Sequence, residues 1–426
     1  MDFDHQLKRY ADLIVKKGMN VQAGQDVYIA AEPIHRDFAC LIAENAYQQG
    51  ARFVAIDLPD ARSERLRMQY SSDENLTYVP GFIPVKYKDI VDNQSANIRI
   101  LGPENPDILK DLDPAKINKA RQASRKAIRY FYEEGIGKCR VHWTLAAAST
   151  PLWAKKVFPD LSPEKANAAL WEDIFKICRV DTPDYMERFE ANQVSIKKRS
   201  KTLNELKLAK LHFVGPGTDL HVGLSAKAIF KGGADMSPRG VLYECNMPSE
   251  EVFTTPDWRT VSGKVKVTRP VMVNGRLVRD INIGFANGEI SSFSAEEGEE
   301  FFKAYINTDA GAKRLGEVAL VGIDSPIFQT GRIYQEILYD ENASCHIAVG
   351  SAYRFCIEGG ENMTDEQAKE IGCNESNVHT DMMISSEEVD VFAVTHAGEE
   401  IQIIAKGAWC DKFRECNNPR FSITSS

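Results

Sequence analysis

The 426-residue sequence has no pair of cysteines at the two-residue spacing of a zinc or dithiol redox motif. Its nine cysteines, Cys40, Cys139, Cys178, Cys245, Cys345, Cys356, Cys373, Cys410 and Cys416, are scattered, and reduced, buried thiols are the expectation. No run approaches the ~18 apolar residues of a membrane span, and "MDFDHQLKRYADLIVKKG" lacks the apolar core and cleavage site of a signal peptide. A cytoplasmic protein without a membrane partner is expected. Excess positive charge is missing too: the net charge is −9, which excludes the Lys/Arg-dense surface that sequence-independent phosphate binding needs, so no nucleic acid partner is expected. Neither the dinucleotide glycine fingerprint nor the P-loop pattern occurs, which argues against a nucleotide site. Internal repeats and low-complexity tracts are not evident.

What is present alternates. "DVYIAA" (Asp26 to Ala31), a helical pattern with Phe38, Leu41 and Ile42 on one side, and "RFVAI" (Arg52 to Ile56) form a strand, helix, strand unit. The pattern returns with "NIRILG", a helical stretch over 115–134, "CRVHW" from Cys139, and further helices to about Lys198. The expected class is α/β: a layered N-terminal α/β domain, residues 1–205, followed by a β-rich α+β domain, residues 206–426. A charged helical stretch over 182–208 reads as the connector or as a helix of either domain. In "VMVNGRLV", Asn274 and Gly275 fit a two-residue hairpin turn.

Candidate chemistry lies in the second domain. His142 and His212 sit in strand-like runs and read as satisfied core or edge residues. His346, in "YDENASCHIAVGSAYRF", follows Glu341 by five residues and precedes Tyr353 by seven; His379, in "SNVHTDMMI", precedes Asp381 by two. In a strand that last spacing places imidazole and carboxylate on one face, ready to share an ion. Glu317 stands in "RLGEVALVGI", a buried strand by its apolar neighbours, where an ionised carboxylate needs a compensating charge. Glu250 and Glu251 in "NMPSEEV" are adjacent, so in an extended segment only one of them can face a given pocket. Two imidazoles with several carboxylates suit Zn, Mn or Co, and four or five ligands exceed what one catalytic ion with an open position uses. Two ions sharing one carboxylate, about 3.5–4 Å apart, are the economical arrangement.

"NMPSEEVFTTP", "LGEVALVG", "DENASCHIAVGSAY" and "NVHTDMMI" resemble, in order and spacing, the successive motifs of the thermophilic aminopeptidase family of dinuclear metallopeptidases, over essentially the whole chain. The resemblance implies a metal-dependent aminopeptidase whose β-rich domain binds metal and carries catalysis. It implies two divalent ions (Zn, Co or Mn) held by Glu251, Glu317, His346, His379 and Asp381, with Glu341 as a further ligand. Glu317 would bridge the ions, a water between them would be the nucleophile, and the Tyr353 hydroxyl would donate to the oxyanion. The partners implied are peptides with a free N-terminus and a second copy of the chain in a homodimer. Of the adjacent pair, the resemblance assigns Glu251 to the metal. Met382 and Ser385 stand where the family usually has Phe and Gly, which bears on substrate preference. The rival reading takes His346, His379 and Asp381 as the facial triad of a mononuclear iron(II) ring-cleaving dioxygenase; it leaves Glu251 and Glu317 as uncompensated acids.

Overall fold

The computed structural model describes residues 2–273 and 275–414; Asn274 and Cys416, singled out above, lie outside them. The fold joins parallel and antiparallel sheets in an α/β arrangement. The parallel sheet runs in the order Phe53–Asp57, Asp26–Ala30, Ala96–Leu101, His142–Ala147, Asn246–Met247. Parallel neighbours need long crossovers, supplied by helices such as Arg36–Gln48 and Phe82–Asp92. Val27, Ile29, Ala96 and Ile98 pack against Leu13 and Ile42 from the helices Phe3–Leu13 and Arg36–Gln48. Each such aliphatic side chain stabilises by ~1.5–3 kcal/mol on burial. The alternate positions, Tyr28, Asn97, Arg99, Trp143 and Leu145, line a cavity on the opposite face.

The strands expected from the first three apolar runs are present. The fourth begins at His142 rather than Cys139, because Cys139 takes φ +51 in the turn after the helical segment Phe131–Ile136. Later helices start where local chemistry dictates: the side chains of Thr150 and Ser162 accept from the backbone N–H groups of Trp153 and Lys165, ahead of Pro151 and Pro163 in the first turn. The stretch over 182–208 contains the helix Tyr185–Glu205, which puts Phe189 into the first core and Ile196 and Leu203 into the second.

Beyond it, apart from Asn246–Met247, the strands are antiparallel. Eight run in the order Glu289–Ser294, Asn282–Ala286, Ser262–Lys266, Thr218–Gly223, Leu208–Gly215, Asp390–Thr395, Glu400–Ala405, Ala408–Trp409. Four form a second sheet: Val252–Thr254, Leu315–Leu320, His346–Gly350, His379–Met383. Val318, Leu320, Ile347 and Val349 of the latter join Leu211, Phe213 and Leu220 of the former in one core. In the hairpin of "VMVNGRLV", Val273 pairs with Arg276 and Gly275 sits at φ +77, as a two-residue turn requires. The second half also reaches back, since Met247, Ile327, Tyr334, Leu338 and Tyr339 pack into the first core.

None of the eight described cysteines forms a disulfide. Cys178, Cys345, Cys356 and Cys373 are buried as expected, whereas Cys139, Cys245 and Cys410 are half-buried and Cys40 is exposed. Cys40 lies off the stripe that Phe38, Ala39 and Ile42 turn toward the sheet. Among the described residues no helix is long and apolar enough to cross a membrane.

Candidate metal centre

The four-stranded sheet brings the candidate residues together. Glu317 and Asp381 both pair with Ala348, one from each side, so two carboxylates flank a small side chain in a single row. His346 and His379, two positions from Ala348 and Asp381, share that face. Val318, Ile347, Val349 and Met382 point the other way, into the second core. One residue would break this alternation, because Leu315 also enters the core although it is two positions from Glu317. The register slips between Leu315 and Glu317. A β-bulge at Gly316 re-aims the strand so that Leu315 and Glu317 face opposite sides. A Cβ at Gly316 would lie 2.3 Å from the Ser351 carbonyl oxygen and 2.5 Å from that of Gly350, so only glycine fits there.

The side chains converge in two sets that share Glu317: Glu251, Glu317 and His346 in one, Glu317, His379 and Asp381 in the other, the potential ligand atoms within each lying within 4.8 Å of one another. His346 Nε2 is 3.1 Å from Glu251 Oε2 and 3.9 Å from Glu317 Oε1; His379 Nε2 is 3.2 Å from Glu317 Oε2 and 3.4 Å from Asp381 Oδ1. The other ring nitrogens face backbone carbonyls, His346 Nδ1 that of Ser344 at 3.2 Å and His379 Nδ1 that of Ser351 at 2.8 Å. A neutral imidazole donating through Nδ1 turns the lone pair of Nε2 toward the carboxylates. Lone pair then meets lone pair. Although Glu251 Oε2 lies close to His346 Nε2, the contact has no hydrogen-bonding geometry and this buried oxygen is left without a partner.

Only a cation reconciles such a set. Burial opposes a charged His346, but Glu251, Asp381 and Glu317 outweigh it and push the imidazole up to about 9. Burial lifts Glu317 to about 7, with Asp381 and Glu251 adding to the rise and His379 opposing it. Asp381 stays below its ordinary range because His379 overcomes the effect of burial. These shifts mean that protons hold the cluster together in the places where a divalent ion would displace them. Imidazoles held at Nδ1 by backbone carbonyls with Nε2 turned to the carboxylates, a carboxylate oxygen without a partner and a carboxylate common to both sets fit a divalent metal.

Glu250 and Glu251 point apart, as an extended segment demands. Glu250 accepts from the Arg179 guanidinium at 2.7 and 3.0 Å, while Glu251 faces His346. Glu341 stands beside the cluster, its Oε1 3.4 Å from Asn342 Nδ2 and 3.5 Å from Asn246 Nδ2. It belongs to neither three-residue set. Burial first, then Asp381, Glu251 and Glu317, raise its carboxyl well above the usual range. The Tyr353 hydroxyl is 3.3 Å from His379 Nε2, and its ring stacks on Phe355 at 5.0 Å. Burial and the surrounding carboxylates push this phenol well up, so it remains a proton donor. Met382 faces the core and Ser385 is buried outside the cavity lining, so the two departures touch packing under the sheet rather than the space a substrate would enter.

Two features escaped the sequence reading. The cavity, about 470 Å³, is walled on one side by the metal-site carboxylates and on the other by the parallel sheet. A second convergent set, His212, Asp219 and His221, lies on the eight-stranded sheet, with His212 Nε2 2.7 Å from Asp219 Oδ1 and the two rings stacked at 3.9 Å. His212 is therefore half-buried and paired with Asp219. The signal for the set was the near-symmetric placement of His212 and His221 about the turn at Gly217.

An α/β chain in which two imidazoles meet a buried carboxylate common to both, beside a cavity lined by Glu251, Glu317, Glu341 and Asp381, is a metalloenzyme by fold and site chemistry. The chain belongs to the thermophilic metalloprotease family (M29), whose profile matches residues 3–409. It is 37% identical over 407 residues to aminopeptidase AmpS of Bacillus subtilis (strain 168), covering 96% of this chain and 99% of that protein. It is also 37% identical over 408 residues to aminopeptidase T of Thermus aquaticus, with the same coverage. Wild-type AmpT from Thermus thermophilus superposes with a TM-score of 0.89 at 36% identity, covering 96% of this chain and 100% of that one.

Proposed function

We infer that the protein is a metal-dependent aminopeptidase, a hydrolase releasing N-terminal residues from peptides. The observation that carries this reading is the Glu317 carboxylate, whose two oxygens address two different imidazoles in a chain of the metalloprotease family. We propose that Glu251, Glu317 and His346 serve one divalent ion and Glu317, His379 and Asp381 a second, with Glu341 as an added ligand and Zn, Co or Mn as the metal. Such ions supply Lewis acidity toward a scissile carbonyl and generate a hydroxide-like nucleophile at neutral pH. The chain's own groups do the rest. Glu317 orients both sets, the Ser344 and Ser351 carbonyls hold the imidazoles with Nε2 outward, and the Tyr353 hydroxyl donates a hydrogen bond to the oxygen that becomes negative in the tetrahedral transition state. Phe253 and Phe355 beside Tyr353 keep that corner of the cavity apolar, where such a donor is worth more than in water.

The iron(II) dioxygenase reading has nothing in its favour, since His346 falls in one set and His379 with Asp381 in the other, each with Glu317. We further propose two domains, 1–205 and 206–426, supported by the change from parallel to antiparallel sheet, and a cytoplasmic homodimer, supported by the motif resemblance. Net charge of −9 speaks against a nucleic acid partner. Strong chelation should abolish hydrolysis of aminoacyl chromogenic amides, Zn, Co or Mn should restore it, and N-acetylated peptides should be inert. Full activity in a verified metal-free preparation, or equal cleavage of acetylated and free peptides, would overturn the proposal.

A further inference from the structure

The cavity that holds the metal-site carboxylates continues onto the inner face of the parallel sheet, and its charge changes sign along the way. Toward the metal site stand Glu251, Glu317, Glu341 and Asp381, with Lys231, whose backbone pairs with Phe253, and Asp235 and Glu244 also on the wall; at the parallel sheet stand Arg99 and the paired Lys86 and Asp57. Lys86 is neutralised by an ion pair with Asp57. Arg99 is exposed into the cavity and makes no ion pair or side-chain hydrogen bond among the described residues; Glu32 and Glu336 feel its charge without touching it. A guanidinium left free on a cavity wall is a planar, two-pronged donor suited to a carboxylate.

Strand register fixes how far this donor lies from the reaction centre. Arg99 pairs with Leu145, and Leu145 pairs with Asn246, so the three lie in one row on one face. Neighbouring strands are ~4.8 Å apart, which places the Arg99 backbone about 10 Å from that of Asn246. Asn246 in turn brings its side-chain amide to 3.5 Å from Glu341 Oε1, at the edge of the metal-site residues. An extended peptide advances ~3.3–3.6 Å per residue, so about 10 Å is the length of about three residues. A short peptide at neutral pH is itself a dipole, with an ammonium at one end and a carboxylate at the other. Its polarity matches the cavity when the N-terminus lies at the acidic end.

Resting on the aminopeptidase reading, we propose that Arg99 is the anchor for the C-terminal carboxylate of short peptide substrates, making di- to tetrapeptides with a free C-terminus the preferred class. Longer peptides run past Arg99 with a neutral amide in its place and gain nothing from it.

The test compares each peptide as free acid and as C-terminal amide, with metal-loaded enzyme. For a tripeptide the acid should show a KM about tenfold below that of the amide, the order expected of one charge-assisted contact. A hexapeptide acid and its amide should agree within about twofold. Arg99→Gln should bring the tripeptide KM ratio to about one by raising KM for the acid, and Arg99→Lys should leave an intermediate ratio, because the charge stays but the fork is lost. Equal KM values for tripeptide acid and amide in the natural enzyme would overturn the anchor, and so would a preference that persists in Arg99→Gln. If neither tripeptide nor any aminoacyl chromogenic amide is cleaved, the aminopeptidase reading itself falls, and the anchor with it.

Discussion

Two adjacent glutamates show how far single residues can be read. Period-two geometry dictates that Glu250 and Glu251 look opposite ways, and they do: one meets Arg179 and the other meets His346. Their removal should therefore fail differently. Glu250→Gln takes one charge from a buried, doubly hydrogen-bonded pair and leaves Arg179 uncompensated, a loss of about 3–5 kcal/mol in comparable cases. It should lower the unfolding midpoint sharply while the folded fraction keeps its metal. Glu251→Gln removes a carboxylate oxygen that has no hydrogen-bond partner, so metal per chain should fall while the midpoint measured in chelator changes little. Elemental analysis beside thermal unfolding in chelator separates the two, and metal loss from Glu250→Gln with retention in Glu251→Gln would reverse the assignment. The spacing of His379 and Asp381 and the buried setting of Glu317 were equally legible, because each depends only on near neighbours in the chain. The set of His212 and His221 was not, because its signal, their near-symmetric placement about the turn at Gly217, counts only once the two strands are recognised as a hairpin.

At the scale of one strand, local rules misled in an instructive way. Strict alternation would put Leu315 and Glu317 on the same face, either exposing a leucine to the cavity or burying a carboxylate in the core. The bulge at Gly316 resolves the conflict, and its signal depends on where the Gly350 and Ser351 carbonyls of the neighbouring chain segment lie, which no local pattern records. Gly316→Ala must push backbone against backbone, for about 1–3 kcal/mol of destabilisation, and must also rotate Glu317 away from the two imidazoles. Val318→Ala removes core volume from the other face of the same strand at a comparable cost. The first variant should lose metal and peptidase activity beyond its loss of stability; the second should lose stability alone. Should both retain metal equally per folded chain, the bulge has no part in aiming the carboxylate. The same limit explains why the parallel strands could be read one by one from their apolar runs, whereas the fifth, Asn246–Met247, could not: two residues from a distant part of the chain carry no periodicity.

That fifth strand ties the whole molecule together. Asn246–Met247 completes the parallel sheet only a few residues before Glu251, and Met247, Tyr334 and Tyr339 pack into the first core, so the cavity is walled by elements from both halves of the chain that share a sheet and a core. Acid stress on the first half should therefore reach the metal centre. His35 and His142 are both buried there, Nε2 of the first 2.6 Å from the Gly102 carbonyl and Nδ1 of the second 3.0 Å from that of Met19. Burial lowers both imidazoles below their ordinary value, against smaller opposing effects from the backbone carbonyls and, for His35, Glu104. The sign follows from linkage: the unfolded chain takes up these protons near pH 6.5 and the folded chain only at lower pH, so stability is intact above about pH 6.5 and is lost as pH falls below it. Each group contributes at most about 1.4 kcal/mol per pH unit in that window. Urea midpoints measured from pH 8 down to pH 5 should fall more steeply for the natural protein than for a His35→Gln, His142→Gln double variant, and both should be flat with respect to these groups above pH 7. Because the halves share a strand and a core, far-UV circular dichroism and release of bound metal should follow the same transition at each pH. Parallel slopes for the two proteins would clear the histidines of this role, and metal release well ahead of loss of secondary structure would show that the centre opens independently of the sheet beside it.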